Sequence, residues 1–388
     1  MKNKSIVLPI VLLLCFSFGC KKQGDAAKNK EDPGTDDVRT EIEDGLQVVY
    51  NPKEPSPLPG MPKQIILEQE LCIGDEEGIE DFVFSKIQNV QIDEDENIYV
   101  MDQKEVCVKV FDKDGNHLRT FGKKGQGPGE IQYPYRMQLF AGNEILIYCA
   151  ANRRLSFYSL DGALIRELPI GQHNFLRTLP DSKGNIITQS QTPGDNKFVH
   201  EMIKFDMNLN PLLTIKTIEV EMNPYIVSMV NPTFNVRLMT NDYIAWGFPL
   251  DFKYEIVIFN PEGNAIRKIV KDYDPVKITA EDKEKITKDL IGDREVPPEY
   301  TLKFPKNQYP YWVFMCGDDG KIYARTFEQN EEGNFRYDVF DPEGRYIAKF
   351  YFSEKDVICL VRNNKLYSMV FEGAKGFPVV KRYDISWR

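Results

Sequence analysis

Residues 97–131 read NIYVMDQKEVCVKVFDKDGNHLRTFGKKGQGPGEI, and this stretch decides the fold. Apolar and polar residues alternate in 98–102, 106–111 and 118–121, with short polar turns between these runs. Alternation with a period of two predicts β-strands, and the turns predict an antiparallel meander. Such a unit is one blade of a propeller if it recurs along the chain.

Two turns recur in the same phase along the sequence. The first precedes the second strand of each unit, and its reference residues are Ile98, Ile145, Ile186, Tyr243, Ile322 and Leu366. The second lies between the third and fourth strands, and its copies begin at Asp112, Ser159, Asp206, Asn260 and Asp341. Asp or Asn at the start of a turn and Gly at its end suit tight turns. The sequence therefore predicts an all-β, six-bladed β-propeller of four-stranded antiparallel blades over residues 62–388.

The two ends of this region are predicted to share a blade. The sixth unit has no clear fourth strand, while the strand-like segment 63–73 precedes the first unit and has no blade of its own. The N-terminal strand would complete the last blade and close the ring.

The long interval between Tyr243 and Ile322 holds an insert at about 276–310. Thr279 is followed three residues later by Asp282, and helix-forming residues continue to 290, which predicts a short helix. A proline-rich loop then runs to Pro310. An insert of this kind is either functional or merely tolerated.

The N-terminus predicts export. Residues 1–19 combine Lys2 and Lys4 with an apolar run that is shorter than the roughly 20 residues of a membrane span, as in a signal peptide. Ser17-Phe18-Gly19-Cys20 resembles a lipobox, which predicts lipidation at Cys20. Residues 20–61 contain few apolar residues and predict a flexible tether. We therefore expect an outer membrane-anchored lipoprotein of the cell envelope, either periplasmic or surface-exposed.

The net charge and the cysteine content limit the kinds of partner and cofactor that we expect. The formal net charge is −10, and cleavage after residue 19 would remove two lysines and no acids. An acidic chain is a poor partner for nucleic acid. It is also not attracted to an anionic membrane surface, so membrane attachment would depend on the lipid alone. Five further cysteines are scattered without a C-x-x-C pair and predict small buried hydrophobes. We predict a monomer without a metal or another cofactor.

The unit resembles a known family. Residues 98–102, 110–112 and the glycine block 121–130 resemble the bacterial six-bladed β-propeller lipoprotein family, which is similar to NHL-repeat and TolB-like propellers. The resemblance covers about residues 62–388, although later blades lack the glycine block. Most members have no assigned activity, so the resemblance implies a fold and a cellular location but no reaction.

Two motifs that suggest chemistry have simpler interpretations. The glycines of the block could hold a phosphate, but Pro128 and another strand follow instead of a helix, which favours a crossover between blades. The three histidines are His117, expected in an outer strand, and His173 and His200, both expected on loops. They predict no metal cluster.

The candidate site lies where the innermost strands begin, near 133–136, 174–177 and 234–237. Arg136, Arg177 and Arg237 occupy a similar phase in three consecutive blades and should converge on the channel. Aromatic residues at comparable entry points are Tyr135, Phe175, Phe234, Tyr311 and Trp312. Guanidinium groups beside aromatic rings suit an anionic or sugar-like ligand. In the alternative, the arginines pair with acids of neighbouring blades and the aromatic rings only pack.

Three functional hypotheses follow. The leading one is a binding module that takes a small molecule or a protein partner at the channel mouth, with no catalytic residue. The alternative is a metal-dependent propeller hydrolase or lyase. The third is a structural scaffold whose mouth is blocked by the insert.

Overall fold

The computed structural model describes residues 37–74, 83–140 and 144–388. The predicted signal peptide, Cys20 and the tether up to residue 36 lie outside the described residues, so those predictions stay predictions. Within the described ranges, no helix is long and apolar enough to cross a bilayer.

Three strands precede the first complete blade. They are β1 (Arg39–Glu43), β2 (Leu46–Asn51) and β3 (Ile65–Ile73). The first three blades and the crossover between the first two contain β4 (Ile87–Ile92), β5 (Ile98–Asp102), β6 (Cys107–Phe111), β7 (His117–Phe121), β8 (Lys123–Lys124), β9 (Glu130–Ile131), β10 (Pro134–Phe140), β11 (Glu144–Cys149), β12 (Arg154–Ser159), β13 (Leu164–Pro169), β14 (Phe175–Pro180), β15 (Ile186–Gly194), β16 (Lys197–Phe205) and β17 (Pro211–Glu221).

The second half of the chain holds three further blades and the insert. Its elements are β18 (Ile226–Ser228), β19 (Asn235–Leu238), a 3-10 turn (Thr240–Asp242), β20 (Ile244–Gly247), β21 (Glu255–Phe259), β22 (Ala265–Lys271), α1 (Ala280–Ile291), β23 (Thr301–Lys303), β24 (Val313–Cys316), β25 (Ile322–Gln329), β26 (Phe335–Phe340), β27 (Tyr346–Phe352), β28 (Asp356–Arg362), β29 (Lys365–Val370) and β30 (Val379–Trp387).

The strands form six blades around a channel, as the recurring turns predict. Four antiparallel strands make each blade, in the orders β4-β5-β6-β7, β10-β11-β12-β13, β14-β15-β16-β17, β19-β20-β21-β22, β24-β25-β26-β27 and β28-β29-β30-β3. Each first strand contacts the first strand of the next blade, and β28 contacts β4, so the ring is closed. Apolar side chains between neighbouring blades form the core, with Tyr99 and Met137, for example, in one interblade cluster.

Hydrogen bonds within the turns explain why Asp and Gly recur at fixed positions along the sequence. The Asp112 carboxylate accepts hydrogen bonds from the backbone N–H groups of Asp114 at 2.9 Å and Asn116 at 2.8 Å. Gly115 has a φ of +88°, a conformation that glycine adopts without strain. Asp206 accepts from the corresponding N–H of Asn210 at 2.8 Å. The same side-chain cap therefore ends the third strand in different blades.

The N-terminal strand closes the ring as predicted. β3 pairs antiparallel with β30, from Ile65 opposite Trp387 to Ile73 opposite Val380. The last blade thus joins a strand from the start of the propeller to three strands from its end. The glycine block connects β7 to β10, as a crossover should, and the N–H of Gly127 donates to the Glu130 carboxylate at 2.9 Å.

The prediction of a flexible tether is wrong for residues 39–51. β1 and β2 form a hairpin, and β2 pairs in parallel with β22 on the outer edge of the fourth blade. Asp44 and Gly45 make the two-residue turn with φ values of 49° and 82°, as a hairpin turn with positive φ at both positions requires. Val48 and Val49 are buried, so this segment contributes to the core.

The insert contains the predicted helix. The N–H of Asp282 donates to the Thr279 hydroxyl at 3.1 Å, and the Asp282 carboxylate accepts from the N–H of Thr279 at 2.8 Å, which forms a capping box. No residue of α1 is buried. β23 pairs in parallel with β18, and this pairing attaches the far end of the insert to the segment that leads into the fourth blade.

Candidate functional site

Three arginines converge at one end of the channel. Burial lowers the pKa of Arg177 and is the largest cause of the lowered pKa of Arg237, about 10. The charges of Arg237 and Arg136 lower the pKa of Arg177 further, and Arg136 also lowers that of Arg237. Repulsion of this kind acts between neighbouring guanidinium groups, and Arg136 and Arg177 line the same cavity.

No carboxylate of the described residues forms an ion pair with these arginines. Arg237 donates to the backbone carbonyl of Val236 at 2.9 Å, and the Arg136 guanidinium lies 4.7 Å from the ring centroid of Tyr135. The buried Nε of Arg136 has no hydrogen-bond partner in the described structure. The alternative, in which neighbouring blades supply acids to these groups, is therefore not what the described residues show.

Arg136 and Arg177 line a cavity of about 1160 Å³ at this end of the channel. Tyr135 and Phe234 line it too, so four of the predicted site residues meet here. Arg237 is outside the lining, although it lies close enough to act on Arg177. The wall is completed by the segment before the fourth blade and by the last part of the insert, which reaches the cavity at Lys303 and Lys306.

Besides Arg237, three predicted site residues do not reach the cavity. Phe175 is 2% exposed and packs on Phe205 in the core. Tyr311 is 1% exposed and donates its hydroxyl to the carbonyl of Glu255 at 2.7 Å. Trp312 is exposed, with the guanidinium of Arg325 4.4 Å from its ring centroid. Phe175 and Arg177 are two apart on β14, and the register with β15 shifts between them, so this bulge separates the core residue from the lining residue.

The charge of the cavity wall is opposite to that of the whole chain. Arg136, Arg177, Lys303 and Lys306 line it, whereas Asp251 is the one carboxylate among the lining residues. The full sequence carries a net charge of −10. This local excess of positive charge favours an anionic ligand, because fixed charges in a concave site attract counterions.

The sequence analysis did not predict a row of polar side chains on the third blade. Gln189, Gln191 and His200 line the cavity beside Arg177. His200 lies within β16 and not on a loop, because β15 and β16 continue as a hairpin of nine residues each. The strands of the first blade are shorter, with five residues in each of β5 and β6.

The His200 ring is buried against aromatic neighbours. It stacks on Phe234 with a centroid distance of 5.5 Å and lies 5.2 Å from the ring of Phe248. Burial lowers the pKa of His200, which favours the neutral imidazole. Across the described ranges, no group of three or more His, Cys, Asp or Glu side chains is arranged to hold a metal ion.

Known proteins share the fold. Residues 77–230 match the sequence family DUF5128, described as a 6-bladed beta-propeller. No curated protein matches the chain. A candidate exported protein from Bacteroides fragilis has a TM-score of 0.54 and 9% identity, over 87% of this chain and 99% of that one. A member of the DUF4221 family from Bacteroides vulgatus has a TM-score of 0.51 and 13% identity, over 84% and 99%.

Identities this low show the fold alone. The similarity to NHL-repeat and TolB-like propellers and the lipoprotein assignment stay predictions. The blade order, the family match and the similar structures agree that this chain is an all-β, six-bladed β-propeller.

Proposed function

We propose that this protein is a binding module that takes an anionic ligand in the cavity at the mouth of its propeller. The observation that carries the proposal is the pair Arg136 and Arg177, which line the cavity without a carboxylate partner among the described residues. Arginine that is held away from water without a counter-charge is unfavourable, and a bound carboxylate or phosphate relieves that cost. The planar guanidinium also fixes the ligand's orientation through paired hydrogen bonds.

The aromatic lining supplies the apolar part of the site. Tyr135, Phe234 and Phe248 present rings to the cavity next to the charged groups. Pockets for small molecules are mostly apolar, with a few polar groups that set orientation, and are commonly about 300–1,000 Å³. The cavity, at about 1160 Å³, is larger than that range, so it suits a ligand larger than a simple inorganic anion. A protein partner that inserts an acidic side chain is the other source of the same chemistry.

We propose that the protein is located in the cell envelope. The apolar run before Cys20 supports export and lipidation, and the hairpin at 39–51 leaves residues 20–38 as the part of the tether before the folded body. The similar fold of a candidate exported protein is consistent with an extracytoplasmic location. We propose an outer membrane-anchored monomer that contacts the membrane through its lipid and does not bind nucleic acid.

The double substitution Arg136→Ala and Arg177→Ala tests the proposed site. As an anionic probe that is larger than an inorganic ion we use digalacturonate, a disaccharide with two carboxylates. We expect the double substitution to weaken its binding by about 100-fold or more, because a hydrogen bond to a charged group contributes roughly 1.5–3 kcal/mol. Isothermal titration calorimetry on the folded, soluble chain from residue 37 measures the effect. Arg294→Ala removes an exposed arginine of the insert and serves as the matched control. Equal affinities for the double variant and the control would contradict the proposal.

A further inference from the structure

Four polar side chains form a row across one face of the third blade. Arg177 on β14 is opposite Gln189 on β15, and Gln191 on β15 is opposite His200 on β16. Opposed residues in an antiparallel pair share a face, and so do residues two apart on one strand. Arg177, Gln189, Gln191 and His200 therefore point to the same side, where all four line the cavity.

His200 is the member of the row whose hydrogen-bonding atoms are buried without a protein partner among the described residues. It is 6% exposed, and neither ring nitrogen has a hydrogen-bond partner in the described structure. Phe234 and Phe248 pack against the ring and offer no polar atom to it. A buried polar side chain that faces a cavity without a protein partner takes its hydrogen bonds from what occupies the cavity, which is water or a ligand group.

The chemistry of the row distinguishes among anionic ligands. A neutral imidazole presents one donor and one acceptor, and each glutamine amide presents both as well. A carboxylate can only accept, so it matches the guanidinium groups better than it matches His200. A hydroxyl both donates and accepts, and several hydroxyls on a ring match the amides and the imidazole together. The apolar faces of such a ring can bury against the aromatic side chains of the wall.

We propose, on the basis of the proposed function, that the ligand is an acidic oligosaccharide. Its carboxylate binds Arg136 and Arg177, and its hydroxyl-bearing rings lie along Gln189, Gln191 and His200. A single sugar would leave part of the 1160 Å³ cavity empty, so the ligand has at least two rings. In this arrangement, the arginines bind any suitable anion, and the polar row selects for the sugar.

Isothermal titration calorimetry with three probes tests whether the polar row selects for an acidic sugar. Digalacturonate carries both features, galactobiose carries the hydroxyls without the acid, and benzoate carries an acid on an aromatic ring without hydroxyls. We expect the protein to bind digalacturonate at least tenfold more tightly than either of the others. His200→Phe keeps the aromatic stack and removes both nitrogens, and it should weaken digalacturonate binding at least tenfold while leaving benzoate binding unchanged. Gln191→Leu, with the same expectation, covers the case in which His200→Phe does not fold.

The outcomes separate this inference from the proposed function. If benzoate and digalacturonate bind equally, depend on Arg136 and Arg177 and ignore both row variants, the acidic saccharide is overturned and the anion site survives. If none of the acidic probes binds, both proposals are overturned. Preference for digalacturonate that is lost in the row variants supports the inference.

Discussion

A chain that begins at residue 75 is expected to lose the native propeller, whereas a chain that begins at residue 62 keeps it. The longer truncation removes β3, which supplies the fourth strand of the last blade and pairs with β30 along its length. It also removes Ile65 and Ile73, which are 7% and 2% exposed. Burial of each such side chain contributes about 1.5–3 kcal/mol, and the lost strand pairing adds to this. The total approaches the whole stability of a typical domain, about 5–15 kcal/mol.

Urea unfolding followed by near-UV circular dichroism compares the two truncated chains. The chain from 62 lacks the hairpin of β1 and β2 and should unfold cooperatively at a lower urea concentration than the chain from 37. The chain from 75 should show no cooperative transition, and a synthetic peptide of residues 62–74 added in trans should restore one. A cooperative transition of the chain from 75 without the peptide would show that the ring does not depend on its N-terminal strand.

Asp338→Asn is expected to destabilise the protein by about 3–5 kcal/mol, the usual cost of breaking a buried ion pair. The side chains of Lys271 and Asp338 are 0% exposed, and Nζ lies 3.5 Å from the carboxylate. The pair joins β22 of the fourth blade to β26 of the fifth. Burial lowers the pKa of Lys271, which shows how unfavourable its surroundings are for an uncompensated charge.

The substituted amide isolates the loss of charge. Tyr346 donates its hydroxyl to Asp338 at 2.8 Å, and an asparagine oxygen can still accept that bond. Asp338→Asn also removes the ion pair of Asp338 with Arg336, whose Nε lies 3.0 Å from the carboxylate, but Arg336 keeps Glu328 as a partner. The double variant Lys271→Met and Asp338→Asn removes both charges and should recover part of the lost stability, which urea midpoints would measure. If the double variant is no more stable than Asp338→Asn, the unpaired lysine is not the cause of the loss.

The periodic turns made the fold predictable. The same turn recurs in the blades, and its first residue, such as Asp112 or Asp206, caps it through a side-chain hydrogen bond. This hydrogen bond is present even where the rest of the repeat differs between blades. The helix at 280–291 was predictable for the same reason, since its capping box is read from two residues. The hairpin at 39–51 was missed because the average composition of 20–61 is polar, although the Asp44-Gly45 turn was a local signal for it.

The site was less predictable because a propeller assembles it from several blades. The common phase of Arg136 and Arg177 predicted that they converge, and both line the same cavity, since inner strands begin at equivalent points. Phe175 and Tyr311 share that region of sequence, but they point into the core. The long hairpin of β15 and β16 brings His200 against Phe234 and Phe248, and contacts between such distant segments leave no local pattern in the sequence. His200 was therefore placed on a loop.

The most direct test is a crystal structure of the chain from residue 37 with digalacturonate bound. We predict a carboxylate within hydrogen-bond distance of both Arg136 and Arg177, and a ring hydroxyl within hydrogen-bond distance of a His200 nitrogen. Digalacturonate bound elsewhere on the propeller, with this cavity unoccupied by it, would contradict the proposed site.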